Sequence, residues 1–249
     1  MAQILVHRED VELDAPTFVE GLPGVGLVGK IAADHLVDAL DMTHYATCHC
    51  EGLPEVAVYG EGDYTARPPV RLYADEERDL LALQADIPVN RVAAAEFADC
   101  VTDWVTDVGA TPLYLSGFPN QEDDPAHVPD VFGVATGDGA EILDEYDIGT
   151  PPEQGVIGGP TGALVNRADV NGLTGVGLIV ESDPQFPDPA ASKQLIDKGI
   201  EPIADVGIET DTLVEQAEQI RDQKEQLAQR MQQASEEEST QAQSMRMFE

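Results

Sequence analysis

Between a short strand pattern at Thr17-Phe18-Val19-Glu20 and a helical pattern from Leu27 to Leu40 lies Gly21-Leu22-Pro23-Gly24-Val25-Gly26-Leu27-Val28-Gly29-Lys30-Ile31. Leu27, Ile31, Leu36 (or His35) and Leu40 recur at helical spacing, so the glycines fall where a strand turns into a helix. The same alternation continues along the chain. Strand patterns are expected over residues 4–7, 45–50, 56–59, 70–73, 80–84, 112–116, 132–136 and 174–181. Helices are expected from a cap at Asn90 through Val108, over 161–170, and over 189–198 with proline in the first turn. Gly137-Asp138-Gly139 reads as a turn. Strands alternating with helices in this way predict an α/β fold, a layered core with a mixed or largely parallel sheet.

Read from Gly24, the loop satisfies both G-x-G-x-x-G and G-x-x-x-x-G-K, spacings that can aim backbone N–H groups and a helix N-terminus at a phosphate. Gly24, Gly26, Gly29 and Lys30 are therefore candidate ligand residues. Two features weigh against the nucleotide reading. Ile31 follows Lys30 where magnesium needs a Ser or Thr hydroxyl, and Glu51 is a nominal dinucleotide acid in a chain full of acids. The structural alternative is that the glycines permit a tight turn and close helix–sheet packing.

The chain has 249 residues, 42% of them hydrophobic, enough for one large core or two small ones. Thirteen basic residues against 48 acidic ones give a net charge of −35, which repels nucleic acid and anionic membranes. The acids are spread over the whole chain, and only four of the bases are lysines; this fits a protein adapted to molar salt, where the Debye length shrinks to roughly 3 Å. No signal peptide and no membrane span are expected, so the reading is a cytoplasmic protein. Cys48, Cys50 and Cys100 are too few and odd in number for a disulfide framework. On a strand, Cys48 and Cys50 share a face while His49 points away, so no metal site is expected and the two thiols read as a buried pair.

Other candidates for chemistry are Ser116 and Glu181, both at strand ends. G-x-S-x-G is absent around Ser116, while Glu181 is the best acid for an enzyme. A cleft lined by Gly24, Gly26, Ser116, Gly159, Thr161 and Glu181 would follow if these turns share one sheet edge. From Thr210 onward proline and glycine vanish, and Leu213, Ala217, Ile220, Lys224, Leu227 and Met231 form a heptad seam. That seam reads either as a helix packed on its own domain or as an oligomer interface. The division expected is a domain over 1–205, a long C-terminal helix over 206–234 and a polar tail over 235–249 that ends in Met247-Phe248-Glu249.

Three blocks in order resemble the archaeal proteasome assembly chaperone family. They are Gly21 to Leu36, then Gly158-Gly159-Pro160-Thr161-Gly162-Ala163-Leu164, then Gly175 to Glu181 followed by Pro187-Asp188-Pro189. The resemblance implies a phosphorylase/hydrolase-like α/β core, a homo-oligomer, no cofactor, and ATP-independent assistance to proteasome α subunits. It also implies a role for the C-terminus, because members often end in hydrophobic–tyrosine–any residue. Met247-Phe248-Glu249 matches that ending with Phe for Tyr, an aromatic anchor followed by the terminal carboxylate. Two other functions stay open. One is an enzyme on the same fold, an ATP-dependent ligase or a nucleoside hydrolase/phosphorylase using loop 24–30. The other is a generic oligomeric adaptor.

Overall fold

The computed structural model describes residues 3–51, 53–60, 62, 64–119, 127–217, 219 and 220. In chain order the elements are β1 (Gln3–Val6), β2 (Thr17–Gly21), α1 (Val28–Ala39), β3 (Thr43–His49), β4 (Val70–Asp75), β5 (Leu80–Ala85) and α2 (Ala94–Asp107). Then come β6 (Thr111–Pro119), β7 (Val131–Thr136), α3 (Gly139–Glu145), α4 (Gly159–Asn171), β8 (Gly175–Ser182), α5 (Pro189–Leu195) and α6 (Glu201–Ala204). The strands form one sheet in the order β1-β3-β4-β5-β2-β6-β8-β7. The central run β5-β2-β6-β8 is parallel, and antiparallel pairs extend it on both sides.

Helices cover both faces of the sheet. Val28, Ala32 and Leu36 of α1, Leu143 of α3 and Leu195 of α5 pack on one face with Val19, Leu113, Leu178 and Val180. On the other, Phe97 and Val101 of α2 and Leu164 and Ala168 of α4 pack with Phe18, Leu72, Leu83 and Tyr114. The central strands bury both faces, which is why β8 reads as an almost unbroken apolar run.

Sequence and structure differ in a few places, each with a local cause. Residues 56–59 form no strand; Val58 makes only an isolated bridge to Arg67 inside the long β3–β4 connection. Asn90 does not cap α2: its side chain accepts the Val92 N–H in a turn, and the helix starts at Ala94. The turn at Gly137 leads straight into α3, a helix too short for its periodicity to show. The helix expected over 189–198 passes through a π-turn (Ile196–Ile200) into α6, just ahead of Pro202, which has no N–H to continue the ladder.

The glycine loop holds α1 close to the sheet. A Cβ on Gly21 would lie 2.2 Å from the Ala33 Cβ, and one on Gly29 would lie 3.1 Å from the Leu115 Cβ. Gly26 has φ +61°, and a Cβ there would lie 1.8 Å from Ser182 Oγ, whereas Gly24 has open space around it. Gly26→Ala therefore combines left-handed strain with overlap and is expected to destabilise the fold by about 2–4 kcal/mol. Gly24→Ala is expected to change it by less than about 1 kcal/mol. Denaturant unfolding at fixed KCl measures both, and equal effects of the two substitutions would contradict this packing.

Candidate functional site

At the carboxyl ends of the central strands, where ligands bind in many open α/β sheets, the chain carries a buried acid. Glu20, in the last turnable position before Gly21, points to the α2/α4 face beside Phe18 and is 0% exposed. Its Oε1 accepts the Thr161 hydroxyl at 2.9 Å and the Leu22 N–H at 3.3 Å; its Oε2 accepts the Leu115 N–H at 3.0 Å. The β2–β6 ladder stops at Glu20, so this side chain takes over the N–H of the next β6 residue. Thr161 lies in the first turn of α4, so the carboxyl group also faces a helix N-terminus. Burial pushes the Glu20 carboxyl up to about 8, although the hydrogen bonds from Leu115, Thr161 and Leu22 all pull it back.

A second joint lies on the opposite face of the sheet. Asp188 caps α5 by accepting the Ala191 N–H at 3.0 Å, and its other carboxylate oxygen accepts the Asp183 N–H at 3.0 Å. The Asp188 N–H donates to the Gly26 carbonyl at 2.8 Å. Ser182 is buried against Gly26, and its Oγ has no hydrogen-bond partner among the described residues. Gly117 of β6 abuts the other side of the loop, where a Cβ would lie 2.6 Å from the Val25 carbonyl oxygen. Protein atoms thus fill the flanks of the loop at Gly26 and Gly117.

The candidate cleft residues do not converge. Thr161 meets Glu20, and Gly26 meets Ser182. Glu181 accepts His127 Nε2 at 2.8 Å and the Asp130 N–H at 3.0 Å on the approach to β7. Lys30 turns away from the loop to Asp34 at 2.8 Å and Asp86 at 3.5 Å. There it joins a network in which Asp86 pairs with the buried Arg71 at 2.7 Å, and Gln84 bridges Arg71 to Asp34. Ser116 is half-buried in β6, paired in register with Ile179. Gly24 and Gly159 have open space where a Cβ would stand, Gly29 is packed against Leu115, and Gly159 opens α4 at φ +66°.

The cysteines also part company. Cys50 and Cys100 form a disulfide, Cα–Cα 6.0 Å, that ties the segment after β3 to α2; a single bond forms where no framework was expected. Fifty residues separate the two in sequence, so spacing gave no sign of the pairing. Cys48 stays a buried free thiol, and burial pushes it up to about 12. Of the heptad seam, Leu213 is 1% exposed and packs into the α1-side core, while Ala217 and Ile220 are half-buried. Lys224, Leu227, Met231 and the terminal Met247, Phe248 and Glu249 lie outside the described residues. No helix among the described residues is long and apolar enough to cross a membrane.

Residues 18–228 match the family model described as the PAC2 family. The chain belongs to the PAC2 family. The match begins at Phe18, beside Glu20, and runs past both joints. Two uncharacterized proteins of Methanocaldococcus jannaschii are similar along most of their length: one is 24% identical over 90% of each chain, the other 27% identical over 80% of this chain and 78% of that protein. The crystal structure of Pyrococcus furiosus PbaA, an archaeal homolog of proteasome-assembly chaperone, superposes with a TM-score of 0.77 at 24% identity, covering 94% of this chain and 99% of that one. Pyrococcus furiosus PbaB, an archaeal proteasome activator, gives 0.77 at 23% identity, covering 91% and 98%. At these identities the likeness establishes the shared fold.

Sequence reading passed over Glu20 and the capping role of Asp188. Signals for both were present: an acid in phase with Phe18 inside an apolar strand, and an aspartate directly before Pro189. A raised folded-state value means the folded chain keeps the Glu20 proton through a range in which the unfolded chain has released it. Its stabilising contribution is then complete below about pH 4.5 and is lost as pH rises toward about 8. Wild type is expected to lose roughly 2–4 kcal/mol more than Glu20→Gln across that range at fixed KCl. Parallel stability–pH profiles of the two proteins would show that Glu20 is ionised in the fold.

Proposed function

We propose that this PAC2 protein is a non-enzymatic, ATP-independent proteasome-assembly chaperone in the cytoplasm of a salt-adapted organism. It binds proteasome α subunits through a homo-oligomer and through its last three residues. The observation that carries the reading is the PAC2 match over residues 18–228, on a fold shared across nearly the whole length of PbaA and PbaB. Both of those proteins are described by their relation to the proteasome, which supports a proteasome partner for this chain.

The sheet edge supports a binding role over catalysis. Gly26 is closed off by Ser182, Lys30 is committed to Asp34 and Asp86, and Glu181 is bonded to His127 and Asp130. A surface carrying net charge −35 selects against nucleic acid as the partner. At the C-terminus, Phe248 supplies an aromatic anchor, and the chain-terminal carboxylate can pair with a partner lysine. Lacking the tyrosine hydroxyl, one such tail forgoes about 0.5–1.5 kcal/mol. Several tails on one oligomer recover the affinity through effective concentration.

Deleting Met247, Phe248 and Glu249 is expected to abolish capture of purified α subunits in high salt while the mass by light scattering stays unchanged. Equal capture by the truncated and intact chains would remove the tail from the mechanism.

A further inference from the structure

Between the second half of α1 and residues 207–216 runs a groove of about 790 Å³. Half-buried Ile31 and Leu40 and buried Leu213 line its floor. Its exposed rim carries Asp38, Glu209 and Asp211. Arg78, also in the lining, is engaged by Asp75 at 2.5 Å, and His35 Nε2 bonds the Glu209 carbonyl oxygen at 2.8 Å. The groove therefore has a narrow apolar floor set in a largely polar, acid-edged lining.

The chain itself contains a segment of opposite pattern. Residues 221–231 read Arg221-Asp222-Gln223-Lys224-Glu225-Gln226-Leu227-Ala228-Gln229-Arg230-Met231, with bases outnumbering acids in a protein of net charge −35. Wound as a helix, the segment puts Leu227 and Met231 on one stripe with Lys224, and Arg221 and Arg230 flank that stripe on either side. In a symmetric coiled coil, Lys224 would occupy a seam position facing apolar side chains or its own copy. Against an acid-rimmed trough the same lysine, with Arg221 and Arg230, finds carboxylates while Leu227 and Met231 find the floor.

We propose that residues 221–231 of a second copy of this chain dock as an amphipathic helix in the groove between α1 and residues 207–216. This rests on the homo-oligomer of the proposed function and specifies how its copies hold one another. A second copy fits better than the same domain because residues 211–217 are helical and form one wall of the trough. From Thr210 onward the sequence has no glycine or proline to turn the segment back across its own first turns. With one wall supplied by the same stretch that leads into the docking segment, each copy can both offer a trough and fill one.

Mixed-chain crosslinking tests this. A chain carrying Asp38→Cys is mixed with a differently tagged chain carrying Leu227→Cys, under mild oxidation, with Val170→Cys on the exposed side of α4 replacing Asp38→Cys as the control. A disulfide joining the two tags is expected with Asp38→Cys and not with the control. Lys224→Glu is expected to weaken self-association by about tenfold or more at the lowest salt that keeps the chain folded. Crosslinking only when both cysteines share one chain would mean that the segment folds back on its own domain, and would overturn the proposal. No crosslink from a protein that is still an oligomer by light scattering would also overturn it while leaving the oligomer intact. A wild-type protein that is monomeric at every concentration would remove the oligomer reading and this proposal together.

Discussion

The Glu20 carboxyl group holds three distant parts of the chain to one point. Leu22 belongs to the glycine turn, Leu115 to β6 and Thr161 to the first turn of α4, and each donates a hydrogen bond to this one side chain. A carboxyl group taken fully out of water carries a desolvation penalty of several kcal/mol, and only a complete set of partners offsets it. That requirement fixes geometry: the turn after β2, the reach of β6 past the end of β2 and the start of α4 must all come to the same place. On the other face, Gly26, Ser182 and Asp188 make a matching demand on the ends of β8 and the start of α5. Each of the three sequence blocks that resemble the chaperone family contributes to these joints: Leu22 and Gly26 from the first, Thr161 from the second and Asp188 from the third.

The fold is shared with PbaA at a TM-score of 0.77 although only 24% of residues are identical. The sheet tolerates exchange among apolar residues of similar size, because packing asks for volume and pattern more than identity. The joints do not tolerate exchange so easily. Gly21, Gly26 and Gly117 lie where any Cβ would overlap a neighbour, and α1 approaches β2 through Gly29, Ala32 and Ala33. A glycine-rich turn between a strand and a helix can serve a phosphate or serve such an approach. Here the neighbouring side chains supply contacts for the second use, and the lysine that would complete the first is drawn into a salt-bridge network with Asp34, Asp86 and Arg71.

Much of the architecture was legible in the sequence because its signals are local. The alternation of apolar runs with helical periodicity marked most of the strands, and α4 ends at Asn171, capped by Gly172 at φ +67°, within a residue of the expected end at 170. What escaped was set by tertiary partners. Nothing adjacent to Glu20 announces that Thr161, 141 residues away, will bond to it, and nothing adjacent to Cys50 points to Cys100. Residues 56–59 have strand-like composition but find no ladder beyond the Val58–Arg67 bridge. The heptad reading beyond Thr210 rests on periodicity alone, and periodicity cannot say which surface receives an apolar stripe. Leu213 is received by α1 of its own domain.

If the sheet edge is a filled joint, the work of the protein falls to its outer surfaces and C-terminal segment, and the glycine loop should bind no nucleotide. Calorimetric titration of the full chain with ATP, with and without magnesium, tests this most directly when run beside Lys30→Ala. No heat of binding is expected from either protein in either condition. Magnesium-dependent binding by wild type that disappears in Lys30→Ala would contradict the account and restore an enzyme on this fold.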